Sequence, residues 1–167
     1  MRPSDLLCMP LDAAVQSGET HGMIARVKAQ RNAIIIYTDG ACSGNPGPAA
    51  CAAALSYQGR EKRASRYLGM GTSNIAELEA VRLALRMLKR KDLPVDLHTD
   101  SKYVIGVLSL GWKAKANQQI IADLKAMLAQ FADLRLIKVP GHAGVPLNEL
   151  VDQMARDAIL LRSGTES

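Results

Sequence analysis

The sequence predicts an α/β domain, a mixed sheet covered by helices, on three observations. The run "AIIIYT" (residues 33–38) is β-branched and continuously apolar, as in a strand covered on both faces. Two more strand patterns follow it directly, and from Asn74 onward helical and strand patterns alternate. Strands first and alternation afterwards place helices on a sheet that mixes antiparallel and parallel pairs.

In chain order, residues 1–31 carry Pro3, Pro10, Gly18 and Gly22 among scattered charges, and their apolar positions (Leu6, Leu7, Met9, Leu11) sustain no period. A poorly ordered extension with at most one helical turn is expected there, and "MIARVKAQRN" from Met23 offers an alternative start. Residues 32–162 then form the domain and 163–167 a tail. After "AIIIYT", the segments "CAAALSY" and "KRASRYLG" flank Gln58-Gly59 and predict a meander of three strands. A helix is expected from Ile75 to about Lys91, followed by the strand "VDLHT", the helix "SKYVIGVLSLG", the helix "NQQIIADLKAMLAQF", the strand "LRLIKVP" and a last helix over "LNELVDQMARDAILLRS".

A chain of 167 residues suffices for one core without staples. Aromatic residues make up only 4%, so Leu, Ile, Val and Ala build that core and a platform of rings stacked on bases is excluded. Twenty-one Lys and Arg against 16 Asp and Glu give a net charge of +5, which favours a polyanionic partner. Cys8, Cys42 and Cys51 form no C-x-x-C pair, so neither a disulfide framework nor a cysteine zinc site is indicated, and a reducing cytoplasm fits. No apolar run approaches the roughly 18 residues of a spanning helix, and no secretion signal is recognisable; a soluble, cytoplasmic protein is expected.

Four acidic residues stand in unexpected places. On the helix from Ile75, with Leu78 at zero, Glu77 falls at about 260°, in the middle of an apolar arc built by Ala80, Val81, Leu83, Leu85 and Leu88. A carboxylate buried there costs several kcal/mol unless it is paired, protonated or bound to a metal. A capping box with Asn74 as N-cap would account for it alone. Asp100 follows the strand "VDLHT", at the kind of carboxyl end where open α/β sheets bind ligands, although an N-cap is its commoner use. Asp39 ends "AIIIYT" against the rigid turn "GACSGNPGPA", and Asp152 borders the apolar arc of the last helix. Hard-cation chemistry explains all four at once, since carboxylate oxygens from several elements suit Mg²⁺, and two such ions can clamp a phosphodiester.

The stretches "YTDGACSGNPGPA", "TSNIAELEAVRLAL", "HTDSKYVI" and "VPGHAGVPLNELVDQMAR", in that order and spacing, identify residues 33–161 as resembling the type 1 ribonuclease H family. The resemblance implies a five-stranded mixed sheet in the order 3-2-1-4-5 flanked by helices. It implies endonucleolytic hydrolysis of the RNA strand of RNA–DNA hybrids by two-metal-ion catalysis, leaving 3′-hydroxyl and 5′-phosphate ends. It further implies two Mg²⁺ ions per site, with Mn²⁺ as a substitute, held by Asp39, Glu77, Asp100 and Asp152. His142 matches the family's catalytic-loop histidine, which assists proton transfer or product release. Gly40, Asn45, Thr72, Ser73 and Asn74 match substrate-facing positions, Ser73 standing where asparagine is common. The chain is similar to the form lacking a basic protrusion, and only "LGWKAKANQQ" bridges the two helices there, leaving Trp112, Lys113 and Lys115 to meet the DNA strand. No obligatory protein partner is expected, so a monomer. A binding module that kept the fold without the chemistry would gain nothing from acids gathered near phosphates.

Overall fold

The β-branched run of residues 34–36 and the alanines of residues 49–54 set the architecture, because both are apolar on consecutive positions and so need cover on two faces. The computed structural model describes residues 32–167. The readings for residues 1–31, the poorly ordered extension and its helical turn, lie outside the described residues. Strands β1 (Ile34–Cys42), β2 (Gly47–Tyr57) and β3 (Arg60–Gly71) form the meander; then come α1 (Ser73–Met87), β4 (Val95–Thr99), α2 (Lys102–Leu108), α3 (Gln118–Leu128), β5 (Leu134–Lys138), α4 (Pro146–Leu161) and β6 (Thr165–Glu166). Among the described residues the strands make one sheet in the order β5-β4-β1-β2-β3-β6. Antiparallel pairs join β1, β2 and β3, and parallel pairs join β1, β4 and β5. The order 3-2-1-4-5 is therefore present, with β6 added at one edge.

The helices form two layers. Ile36, Leu78, Val81, Leu97, Val104 and Leu124 belong to a core between the sheet and α1, α2 and α3. On the other face Ala52, Ala54, Val151 and Ala155 pack together, joined by Tyr37, Leu150 and Met154. The small alanines of β2 let helices approach from both sides, and Ala49 through Ala54 are all essentially inaccessible. The hairpin joining β2 and β3 turns at Gln58 and Gly59, where φ is +49° and +75°, the left-handed pair that a two-residue turn requires.

Several boundaries differ from the sequence expectation, β2 for instance starting at Gly47 and α2 ending at Leu108, and three of the differences have a visible cause. Strand β1 continues past Asp39 to Cys42, because β2 keeps pairing as far as Cys42 opposite Ala49, while the parallel partner β4 stops with Thr38 opposite Thr99. Helix α1 ends at Met87 rather than near Lys91. Leu88 turns extended (φ −83°, ψ 117°) into the core, and the Lys91 carbonyl accepts the Ala132 amide at 2.9 Å. The tail is ordered into β6: Thr165 and Glu166 pair with Ser65 and Ala64, and Arg63 and Ser167 exchange backbone hydrogen bonds at 2.8 and 2.9 Å.

Gly164 makes that last pairing possible, since a Cβ there would lie 2.2 Å from the Ser65 carbonyl oxygen. Gly164→Ala is expected to detach β6. Hydrogen exchange should show the Arg63 amide losing protection by about tenfold or more with the amides of β1 unchanged, and equal protection at Arg63 would refute this role.

Candidate active site

Where β4 ends, the sheet opens. Thr38 and Thr99 are the last parallel partners of β1 and β4, so the next residues, Asp39 and Asp100, stand side by side just past the end of the parallel ladder. Asp39 is buried, and its Oδ1 accepts the Gly40 amide at 2.9 Å. Asp100 is not the N-cap of α2. Ser101 takes that place, its hydroxyl accepting the Val104 amide at 3.2 Å, which leaves the aspartate free of a capping duty.

Glu77 reaches the same point from α1 because that helix lies against β1 at a glycine. A Cβ on Gly40 would sit 2.4 Å from the carbonyl carbon of Ala76 and the amide nitrogen of Glu77, so Gly40 sets the helix-to-strand distance as well as lining the cleft. Thr72, not Asn74, is the N-cap of α1, its hydroxyl accepting the Ile75 amide at 3.3 Å. Glu77 therefore has no capping partner. Its Oε2 is buried without a hydrogen bond, the cost that the apolar arc foretold.

Asp39, Glu77 and Asp100 each bring a carboxylate oxygen within 4.8 Å of the others. Asp152 lines the same cleft, of about 560 Å³, without joining that group, and its carboxylate is paired with Arg156. His142 also lines the cleft, on a loop where its own φ is +52° and that of Gly144 is +73°. Gly141 lays this loop across Asp100, since a Cβ there would be 2.9 Å from Oδ2.

The electrostatics follow from the crowding. Burial, then Asp100 and Asp152, push the Asp39 carboxyl up from 3.8 to about 7. Glu77 is raised well above the ordinary glutamate value by burial first, then by Asp39 and Asp100. Hard oxygen donors gathered at one point, one of them buried and unpartnered, are the donor set a divalent cation fits.

The family model for RNase H matches residues 31–160. The chain belongs to the ribonuclease H family. It is similar to the ribonuclease H of Zymomonas mobilis subsp. mobilis, 43% identical over an alignment of 143 positions that covers 78% of this chain and 91% of that protein. The ribonuclease H of Thermoanaerobacter sp. (strain X514) is 39% identical over 138 residues, covering 74% and 88% respectively. Among solved structures, LC11-RNase H1 in complex with an RNA/DNA hybrid superposes with a TM-score of 0.65 at 29% identity, over 75% of this chain and 99% of that one. Ribonuclease H enzymes are metal-dependent, in keeping with the carboxylate group.

The other site residues named from sequence fall in two places. Asn45, Thr72, Ser73 and Asn74 meet at the start of α1, where Asn45 Oδ1 accepts the Ser73 amide at 3.2 Å. Trp112 and Lys113 line a separate groove of about 470 Å³ with Gln118 and Lys125. The Trp112 ring lies over Gly106, where a Cβ would be 2.1 Å from it, and Lys115 is exposed on the same loop without lining that groove. Sequence reasoning passed over Asn148 and Arg156, which line the first cleft. Asn148 is 4% exposed with an unpartnered Oδ1. Their spacing of four residues on either side of Asp152 was the available signal, since it puts all three on one helix face.

The raised carboxyl has a consequence for stability. Because the folded value of Asp39 lies above the unfolded one, its contribution is intact below about pH 4 and is lost as pH rises through about 7. At pH 8 without metal this amounts to up to about 4 kcal/mol. Calorimetry in EDTA should therefore find Asp39→Asn melting about 5 °C or more above the parent at pH 8, with the gap narrowing to less than half at pH 5. An unchanged gap between the two pH values would refute the electrostatic origin.

Proposed function

We propose that the chain is an endonuclease that hydrolyses the RNA strand of RNA–DNA hybrids, leaving 3′-hydroxyl and 5′-phosphate ends. The observation that carries this is the convergence of Asp39, Glu77 and Asp100 within 4.8 Å around an unpartnered buried oxygen. Asp39, Glu77, Asp100 and Asp152 are the residues that would hold two divalent cations, Mg²⁺ in the cell with Mn²⁺ able to substitute. When bound, these supply charge neutralisation at the phosphate and activation of water for attack.

The chain's own groups supply the rest. Gly40 and Gly141, having no side chains, let the two walls of the cleft close on the carboxylates and leave room for a sugar-phosphate backbone. His142, exposed at the rim on its glycine-flanked loop, is placed to move a proton or to help product leave. Asn45 has its carbonyl engaged by Ser73, so its amide hydrogens face outward to a 2′-hydroxyl. Thr72, Ser73 and Asn74 offer hydroxyl, amide and backbone donors at a helix N-terminus, a natural seat for phosphate. Trp112 presents an aromatic face, 53% exposed, beside Lys113 and Lys115, a surface suited to the DNA strand. A monomer working in the reducing cytoplasm accords with the free thiols of Cys42 and Cys51. No helix among the described residues is long and apolar enough to cross a membrane.

Labelled hybrid, duplex RNA and duplex DNA offered side by side with Mg²⁺ or Mn²⁺ test the assignment. The hybrid's RNA strand alone is expected to be cut, with activity lost in EDTA; cleavage of duplex DNA, or none of the hybrid, would overturn it. Asp39→Asn should lower kcat by about a thousandfold or more. His142→Ala should lower it by only about 10- to 100-fold, because the histidine moves a proton and holds no cation. Lys113→Ala with Lys115→Ala should weaken hybrid binding and reduce the slope of log K against log salt by about 1 to 2, one unit for each phosphate that a lysine no longer neutralises.

A further inference from the structure

Arg156 stands one turn beyond Asp152 on α4 and lines the same cleft. Its guanidinium grips the carboxylate at both oxygens, Nε donating to Oδ1 at 3.0 Å and an Nη group donating to Oδ2 at 2.7 Å. Asp152, so paired, stands outside the group that Asp39, Glu77 and Asp100 form. A divalent cation and a guanidinium on one carboxylate repel each other, so taking up the one weakens the hold of the other. The Arg156 side chain is 55% exposed, and pairs of this kind are weak and screened by salt, so the arginine is the partner that yields. Its fork matches phosphate as well as it matches carboxylate, and a polyanion in this cleft passes within its reach.

Resting on the nuclease reading above, we propose that Arg156 is a transferable counter-charge: it holds Asp152 while no cation is bound, and passes to a backbone phosphate of the hybrid once cations claim that carboxylate. Its removal then has opposite effects on two ligands. Loss of a side chain that only stiffened α4 would tighten neither.

Titration calorimetry with Mn²⁺ alone, hybrid binding in EDTA and steady-state kinetics with Mg²⁺ test this on the full chain. Arg156→Gln should bind Mn²⁺ about two- to fivefold more tightly than the parent, the size of an exposed ion pair. It should bind hybrid in EDTA as the parent does, and show a KM for hybrid raised about two- to fivefold with kcat changed less. Arg156→Lys, which keeps the charge without the fork, should fall between the two. It serves by itself should the glutamine variant not fold. Unchanged or weaker Mn²⁺ binding overturns the proposal, as does hybrid affinity lost equally with and without cations. A parent protein that cleaves hybrid and binds Mn²⁺ while the variants match it refutes the transfer alone; a parent that does neither refutes the nuclease reading and this proposal with it.

Discussion

Carboxylates held within 4.8 Å of one another repel, and the fold is what keeps them there. Each is fixed by a contact that would serve equally well in a protein without a site. The parallel ladder stops at Thr38 and Thr99, so two strands deliver their aspartates to one level. Gly40 lets α1 come close enough for Glu77 to reach over the strand. Thr72 and Ser101 take the capping roles next to the acids and leave them uncommitted. Without such rigid placement the side chains would swing apart into solvent, which relieves the repulsion at no cost to the core. Clustering of this sort is stored strain, and a bound cation relieves it.

Much of this was legible in the chain. Glu77 announced itself by falling in an apolar arc, and burial of its Oε2 without a partner bears out the physical argument. The strand and helix order, and the turn at Gln58-Gly59, follow from periodicity and from the need for positive φ. What was not legible depends on partners distant in sequence. That β1 runs on to Cys42 is decided by β2, and that α1 stops at Met87 is decided by Leu88 finding the core and Lys91 finding Ala132. Asp152, a boundary residue of its helix in the sequence, joined the other three acids only through the cation chemistry they would share and the family resemblance. Its partner Arg156 was visible as a four-residue spacing, but a spacing does not say whether the pair points to solvent or into a cleft.

The two regions proposed to face substrate differ in how they are held. At the start of α1, Asn45 and Thr72 each satisfy a backbone amide of the first turn, so the loop between β1 and β2 is fastened to the helix that carries Glu77. A disturbance of that loop is felt at the carboxylates. The groove around Trp112 rests on a ring lying on Gly106, and its lysines extend from an exposed loop. Position at the first region is set by the scaffold; at the second, the exposed Lys113 and Lys115 would act by long-range charge.

The twelve-residue strand β3 forms a border of the sheet, and β6 covers its middle from Arg63 to Ser65. Unpaired backbone along a sheet margin recruits strands from other molecules, the usual start of fibrous aggregates. Here the end of the same chain occupies part of that margin, and its tether gives it a local concentration that strands from other molecules do not match. Residues with no part in the chemistry thus help to keep the protein dispersed at the concentrations where it must search for its polyanion.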